Sequence, residues 1–392
     1  MTRKVEALTG NETVAQAIMR INPDLIAIYP ITPQSSSVES IASKVSNGEM
    51  DSELIQVESE LTSMSMTQGA ALAGGRVFTS TSGNGLHLMF EPYTRQSTLR
   101  LPMLMTLATR ELMSPHTVFS GQQDVMLVRD AGWIQCFASS NQELFDLLIQ
   151  AYRIAEHKNV LLPINVCYDG FYLSHLSERV ELLDKEEVQN FVGKFELKHL
   201  HFDPENVMSV DPLTSGPRLI KFRESHLKAM QDAIPVIENI DKEFGEKFGR
   251  SYGGMVEQYQ MDDAEIVIVT IGAHSGAAKV AIKAARKEGI KVGLLRVRFM
   301  RPFPAKKIQE VLADKKGYAV IDRSVSFGWN AGPVFVEVNA AMANTEKKKT
   351  FFSAIGGLGG ADITVKNIYD TILILEKESR EPQGRITTMW YE

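Results

Sequence analysis

Short runs of apolar residues, each followed by an amphipathic stretch, recur along this chain from its beginning. Leu25–Tyr29 (LIAIY) is the first clear strand, and before it Val14, Ala17, Ile18 and Ile21 fall at helical spacing within Gly10–Ile21. The pattern predicts further strands at Glu53–Val57, Arg76–Thr81, Pro102–Ala108 and Val160–Cys167, with helices at Leu61–Ala73, Leu86–Ser97 and Gln142–Glu156. Such alternation belongs to βα units that build a doubly wound, mostly parallel sheet with helices on both faces.

The pattern lapses between Ser174 and Asp262, where Pro204, Pro212 and Pro217 break it and a charged helix follows near Phe222–Phe248. A second βα series opens at Ala264–Thr270 (AEIVIVT). Its strands are expected at Lys291–Val297, Tyr318–Asp322 and Thr350–Ile355, and its helices at Ala277–Lys287, Ala305–Leu312, Gly332–Ala343 and Val365–Lys377. The chain therefore divides into two α/β units, residues 1–258 with the connector and a smaller unit over 259–392.

Composition narrows the function classes. The 392 residues carry 42 Lys+Arg against 48 Asp+Glu, a formal charge of −6, with no basic block to track a phosphate backbone, so nucleic acid is not an expected partner. Two cysteines, Cys136 and Cys167, cannot supply the thiolates of an iron–sulfur cluster, so any cluster serving this chain must sit on another one. The opening MTRKVEALTGNETVAQ has no apolar stretch for a signal peptide, and no run approaches the ~18 apolar residues of a spanning helix. The expectation is a cytoplasmic protein with no membrane partner.

Open parallel sheets bind ligands beyond the carboxyl ends of their strands. Four such places carry polar residues: Tyr29-Pro30-Ile31-Thr32-Pro33, Val57-Glu58-Ser59-Glu60, the turn Ser82-Gly83-Asn84-Gly85, and Thr109-Arg110. Together they offer a hydroxyl, a carboxylate, a glycine turn and a guanidinium, a set suited to a small anion beside a cofactor. Each has a plainer reading alone: Glu58 or Glu60 as a first-turn helix acid, Arg110 as a surface ion pair, Thr32 as turn chemistry. The glycine turn lacks the third glycine of G-x-G-x-x-G, since Leu88 stands there, and no Walker-type motif occurs. The eight histidines show no metal-ligand spacing, so no metal site is expected on this chain. Methionines such as Met64, Met66, Met89, Met103, Met105 and Met113 read as adaptable packing. Gly356-Gly357-Leu358-Gly359-Gly360 serves either an anion or a tight βα turn.

At these motifs the sequence resembles the alpha chain of the 2-oxoacid:ferredoxin oxidoreductases, best represented by pyruvate:ferredoxin oxidoreductase. The resemblance rests on GNETVAQAI, DLIAIYPITPQSS, VESELTSMSMTQGAALAGGRVFTSTSGNGLHLMFE, VLLPINVCYDGF with Ser174-His175, KVGLLRVRFMRPFP, AVIDRSVSFG and GGLGG, and so covers nearly the whole chain. It implies a thiamine diphosphate pyrimidine-binding unit followed by a domain like the carboxy-terminal one of transketolase. It also implies that a beta subunit holds the diphosphate and Mg²⁺. The family's [4Fe-4S] clusters sit on partner chains, iron–sulfur and gamma-type subunits complete the complex, and ferredoxin takes the electrons.

The resemblance implies an oxidative decarboxylation, in which a 2-oxoacid and CoA give acyl-CoA and CO₂, with pyruvate as the default substrate. A branched-chain, aryl or 2-oxoglutarate-type substrate, or a transketolase-type enzyme without iron–sulfur partners, is the alternative. Carried residue by residue, Glu60 matches the glutamate at the pyrimidine, Thr32 the threonine beside the substrate, and Arg110 the arginine that meets the substrate carboxylate. Pro30 and Gly85 fall with Glu60 at the cofactor. Asn84 and the run Arg110-Glu111-Leu112-Met113 depart from the family pattern, which leaves the substrate side chain open.

Overall fold

The computed structural model describes residues 3–391 apart from 113–114, 198, 201, 203, 206, 345–347 and 383, so Met113 lies outside the described residues. Two seven-stranded sheets organise the chain. In the first, strands run in the order Phe299–Arg301, Ile134–Phe137, Ile164–Asp169, Leu104–Thr109, Val77–Thr81, Leu25–Ile28 and Glu53–Gln56. All neighbours are parallel except the first pair. The exception is a short strand from the chain's second half, lent back to the first sheet with Phe299 opposite Cys136.

In the second sheet the order is Gly384–Arg385, Thr350–Ile355, Gly317–Asp322, Ile266–Ile271, Val292–Val297 and Val256–Tyr259, with Met389–Trp390 also pairing Thr350–Ile355. Strand Val256–Tyr259 is antiparallel to its neighbour and crosses residue 258, where the sequence pattern places the division between units. The strand Ile266–Ile271 shows how two faces arise from a period of two. Ile266 and Ile268 pack in a cluster with Ile282, Leu294, Ile372 and Leu375 on the outer face, whereas Val267, Val269 and Ile271 join the core continuous with the first sheet.

Several elements differ from expectation for identifiable reasons. Pro217 does not break a helix but stands in the first turn of one, where its missing N–H has no partner to lose, and the helix runs 33 residues over Gly216–Phe248. Its stripe of Ala229, Ala233, Val236, Ile237, Ile240, Phe244 and Phe248 is buried, while residues 216–225 are exposed. The helix expected over Leu86–Ser97 is two, Asn84–Leu88 and Phe90–Thr98, with Met89 between them at φ −87°, ψ 11°. The expected strand at Val160–Cys167 begins at Ile164, because Pro163 cannot donate to the ladder. Helix Ser35–Ser46 and the antiparallel ribbon of Val5–Leu8 with Glu178–Glu181 were not anticipated.

The two sheets are tied by buried charge. Glu143, near the start of helix Asn141–Ala155, accepts from Arg298 Nε at 2.8 Å and from Arg296 Nη2 at 3.0 Å, and all three side chains are about 1% exposed or less. The two guanidiniums outweigh burial and hold the Glu143 carboxyl down to about 2. No helix among the described residues is long and apolar enough to cross a membrane.

Candidate active site

In the first sheet the chain leaves Leu25–Ile28 to one side, toward Glu53–Gln56, and returns on its other side at Val77–Thr81. Such a reversal opens a crevice beyond the carboxyl ends of the strands. Residues 29–34 follow Leu25–Ile28, residues 82–85 follow Val77–Thr81, and helix Glu60–Leu72 follows Glu53–Gln56, so all three begin at the carboxyl ends of these strands.

Glu60 is the first residue of that helix and is only 5% exposed. Ser59 caps the helix by accepting from the Thr62 amide at 3.2 Å, and Ser63 Oγ donates to Ala27 O at 2.7 Å, so the helix start is fixed on the central strand. An acid at this position is stabilised by the helix dipole, the plainer reading of the sequence. Its surroundings go further. A Cβ on Gly85 would stand 2.4 Å from Glu60 Oε1 and 2.6 Å from Thr81 Oγ1, so only glycine lets the turn close onto the carboxylate. Thr81 Oγ1 is buried and has no hydrogen-bond partner among protein atoms. Glu58, by contrast, is exposed and accepts from the Thr62 hydroxyl, which holds its carboxyl below the usual range.

Arg110 follows strand Leu104–Thr109 and is 6% exposed. Its Nη1 donates to the carbonyl of Thr32 at 2.6 Å, joining two of the expected site residues, while its buried Nε has no partner. Burial lowers the guanidinium's affinity for its proton; the charges of Asp124 and Glu60 act the other way. The side chain lies against Gly83, where φ is +54° and a Cβ would meet Arg110 Nε at 2.2 Å. Thr32 itself is exposed, as is Pro30, and the Thr32–Pro33 peptide is cis. Pro33 is held by Asn11 Nδ2, which donates to its carbonyl at 2.8 Å, and by Gly170, where a Cβ would be 2.9 Å from Pro33 Cγ. Thus Gly85 closes onto Glu60, Arg110 holds Thr32, and the charge of Glu60 acts on Arg110, while Pro30 is exposed on the loop before Thr32.

Sequence reasoning missed Asp124. This fully buried carboxylate accepts through Oδ2 from the amides of Gly83 and Arg110, both at 3.0 Å, and through Oδ1 from its neighbour Val125 at 2.8 Å. Burial pushes it up to about 6 against the pull of those donors. One oxygen therefore fixes both the turn that presses on Glu60 and the backbone of Arg110. Beside it, Glu111 is raised to about 7 by burial and then by the charge of Asp124, and its Oε1 has no partner.

A second missed pair is Asp169 and Arg323, at the carboxyl ends of a strand in each sheet. They meet at 2.7 Å, nearly unexposed, and Arg323 also donates to Ser120 Oγ at 2.7 Å and to Gly357 O at 3.2 Å. Looking at every strand end, the criterion that found Arg110, would have found both. This contact decides the glycine-rich loop: Gly356 N donates to Asp322 O, Gly360 N donates to Ser120 O, and a Cβ on Gly357 would lie 2.7 Å from Arg323 Nε. Those amides are occupied by protein carbonyls, so the glycines serve close approach between the sheets. Among the described residues no group of three or more His, Cys, Asp and Glu stands together in a way that could hold a metal ion.

A buried carboxylate, Glu60, and a nearly buried guanidinium, Arg110, thus stand at the carboxyl ends of strands in one sheet, with Thr81 Oγ1 and Arg110 Nε buried and without a protein partner. Residues 16–242 match the family described as pyruvate flavodoxin/ferredoxin oxidoreductase, thiamine diP-bdg, and residues 264–368 match pyruvate:ferredoxin oxidoreductase core domain II. The chain is 42% identical over 377 residues to the alpha subunit of an NADH-dependent phenylglyoxylate dehydrogenase from Aromatoleum evansii, covering 94% of this chain and 90% of that one. It is 41% identical over 388 residues to pyruvate synthase subunit PorA of Methanocaldococcus jannaschii, covering 99% and 97%. A solved 2-oxoglutarate:ferredoxin oxidoreductase from Magnetococcus marinus shares the fold, with a TM-score of 0.73 at 19% identity over 95% of this chain and 66% of that one.

Proposed function

The chain belongs to the pyruvate:ferredoxin oxidoreductase family, and we propose from that premise that it is half of a shared active site that decarboxylates and oxidises a 2-oxoacid. Residues 1–258 hold the aminopyrimidine of thiamine diphosphate, and residues 259–392 form the second unit, with Phe299–Arg301 lent back to the first. A beta subunit holds the diphosphate and Mg²⁺. Iron–sulfur and gamma-type subunits carry [4Fe-4S] clusters, and ferredoxin takes the electrons. The observation that carries this reading is the convergence of Glu60, Gly85, Thr32 and Arg110 on the switch-point crevice of the first sheet.

Each residue does work that its geometry allows. Bound thiamine diphosphate supplies a nucleophilic carbon and an electron sink. Glu60, buried and fixed at a helix start, holds a proton at a pyrimidine nitrogen. Gly85 lets the backbone close on that carboxylate, and Pro30 shapes the rim. Arg110, with Nη1 held by the carbonyl of Thr32, supplies the guanidinium charge for the substrate carboxylate, a charge-assisted contact that orients the neighbouring carbonyl. Thr32, whose carbonyl is held by Arg110, brings its hydroxyl to the substrate.

Pyruvate is the proposed substrate, supported by relatives named pyruvate synthase at about 40% identity. The test is the purified complex, assayed without oxygen for reduction of ferredoxin that depends on both pyruvate and CoA. Reduction with release of CO₂ is expected. Failure of every 2-oxoacid offered to support reduction would overturn the proposal.

A further inference from the structure

Residues 120–124 stand between the second unit and Arg110, and each side of this short segment is bonded differently. One side grips the site. Ser120 forms an antiparallel bridge with Arg110, and Asp124 Oδ2 accepts from the amides of Arg110 and Gly83 at 3.0 Å each. The other side is held by residues of the second unit. Gln122 N donates to Arg323 O at 2.9 Å, Gly360 N donates to Ser120 O at 2.9 Å, and Arg323 Nη2 donates to Ser120 Oγ at 2.7 Å. Gln123 pairs with Val325 in both senses: its Nε2 donates to the Val325 carbonyl at 3.2 Å, and its Oε1 accepts from the Val325 amide at 2.8 Å. A side-chain amide paired this way with a backbone uses a donor and an acceptor at once and so fixes direction as well as distance.

These contacts are made away from water. Ser120, Gln122, Gln123, Asp124 and Arg323 are all buried. A bond lost there is not replaced by solvent, so the segment has one favoured place to sit. Arg323 is itself fixed, because it meets Asp169 at 2.7 Å, and Asp169 ends the strand Ile164–Asp169 that pairs with Leu104–Thr109. That strand end braces Thr109 directly, through Gly170 N donating to Thr109 O at 3.0 Å, and Arg110 indirectly, through Arg323 and Ser120. The run Asp322-Arg323-Ser324-Val325 thereby has a task outside the chemistry: it carries the second unit's hold on the first sheet to the residue after strand Leu104–Thr109.

Resting on the role proposed above for Arg110, we propose that Arg323 and Gln123 are positioning residues through which the second unit holds the Ser120–Asp124 segment and, by way of it, sets where Arg110 and the Gly83 turn stand. Both act through other residues rather than on the reacting atoms. Their effect falls on how well the 2-oxoacid is held, and the bond chemistry is unchanged.

The experiment is steady-state kinetics of the purified complex with pyruvate and CoA, in wild type, Gln123→Ala, Arg323→Lys and Glu337→Gln, each checked for subunit content. Gln123→Ala removes both bonds to Val325 and should raise KM for pyruvate about 3- to 30-fold, with kcat within about 3-fold of wild type. Arg323→Lys keeps a charge opposite Asp169 but not the fork that also reaches Ser120, and should raise KM about 3-fold or more. Glu337→Gln weakens a different tie between the units, to Arg129 and Arg301, and should leave KM near wild type. Combining Gln123→Ala with Asp124→Asn should raise KM by less than the product of the single effects, because both act on one segment. Wild-type KM in Gln123→Ala, an equal rise in Glu337→Gln, a double variant that reaches the full product, or a loss confined to kcat overturns the inference and leaves the proposed function standing. Loss of a partner chain that accounts for all the lost activity overturns it too, by making the segment a subunit contact. A wild-type complex inactive with every 2-oxoacid overturns the proposed function itself, and the inference with it.

Discussion

Replacing Asp124 by asparagine separates the positioning of the site from its chemistry. In the wild type one carboxylate oxygen receives two amides, Gly83 and Arg110 at 3.0 Å each, and the other receives Val125 at 2.8 Å. Asparagine has a single oxygen. Its better orientation keeps that oxygen toward Gly83 and Arg110 and turns an NH₂ group onto the Val125 N–H, leaving two donors face to face in a buried place. A buried donor left unsatisfied costs roughly 1–3 kcal/mol, and the two retained bonds lose their charge assistance. Were that cost to fall on substrate alignment, kcat/KM for the 2-oxoacid would drop by about 5- to 150-fold. The loss should appear mainly in KM, because Asp124 acts through the Arg110 backbone rather than on the reacting atoms. Acid provides a second readout. Asp124 is raised to about 6, so as pH falls through that value it gains a proton and loses acceptor capacity, and wild-type kcat/KM should decline there. The variant has no such group and should lack that limb of the profile. Steady-state kinetics of the complex between pH 5 and 8 decide the matter. Wild-type KM with the acid limb intact in Asp124→Asn would refute the reasoning.

Other perturbations follow from the same geometry. Arg110→Lys keeps the charge but not the planar fork, so it should weaken substrate use, and Arg110→Ala should lose about 10- to 150-fold in kcat/KM; values within a factor of a few of wild type would mean that Arg110 only braces the Thr32 carbonyl. Glu60→Gln should slow hydrogen–deuterium exchange at thiamine C2 far more than Glu58→Gln, since Glu60 is buried at the crevice and Glu58 is exposed and bonded to Thr62. Glu111→Gln should raise the melting temperature above pH 7: a carboxyl whose folded value is raised from 4.5 to about 7 contributes fully below 4.5 and loses that contribution as pH rises toward 7. The difference between variant and wild type should shrink below pH 4.5, and a variant melting lower at pH 8 would contradict it.

How much of this was legible depends on whether a residue's partner is near in sequence. Leu25–Ile28 and Ile266–Ile271 could be read from their own apolar runs, because strands buried on both faces need such runs wherever they pair. Phe299–Arg301 could not, since its partner is Ile134–Phe137, far away along the chain. Pro217 was misread because proline stops a helix or opens it depending on whether the turn ahead already exists. At the site, Glu60, Thr32 and Arg110 stood out as polar residues where strands stop. Asp124 gave no such signal: it lies in a five-residue helix, and its partners are backbone amides of Gly83 and Arg110, which no sequence pattern displays.

The central claim, that this chain is one half of a thiamine diphosphate site, is tested most directly by calorimetric titration of thiamine diphosphate with Mg²⁺ into the intact complex and into this chain alone. Tight binding by the complex, weakened by Glu60→Gln, together with weak binding by the folded isolated chain, is the predicted result. Tight, Mg²⁺-dependent binding by the isolated chain, indifferent to Glu60→Gln, would contradict the claim.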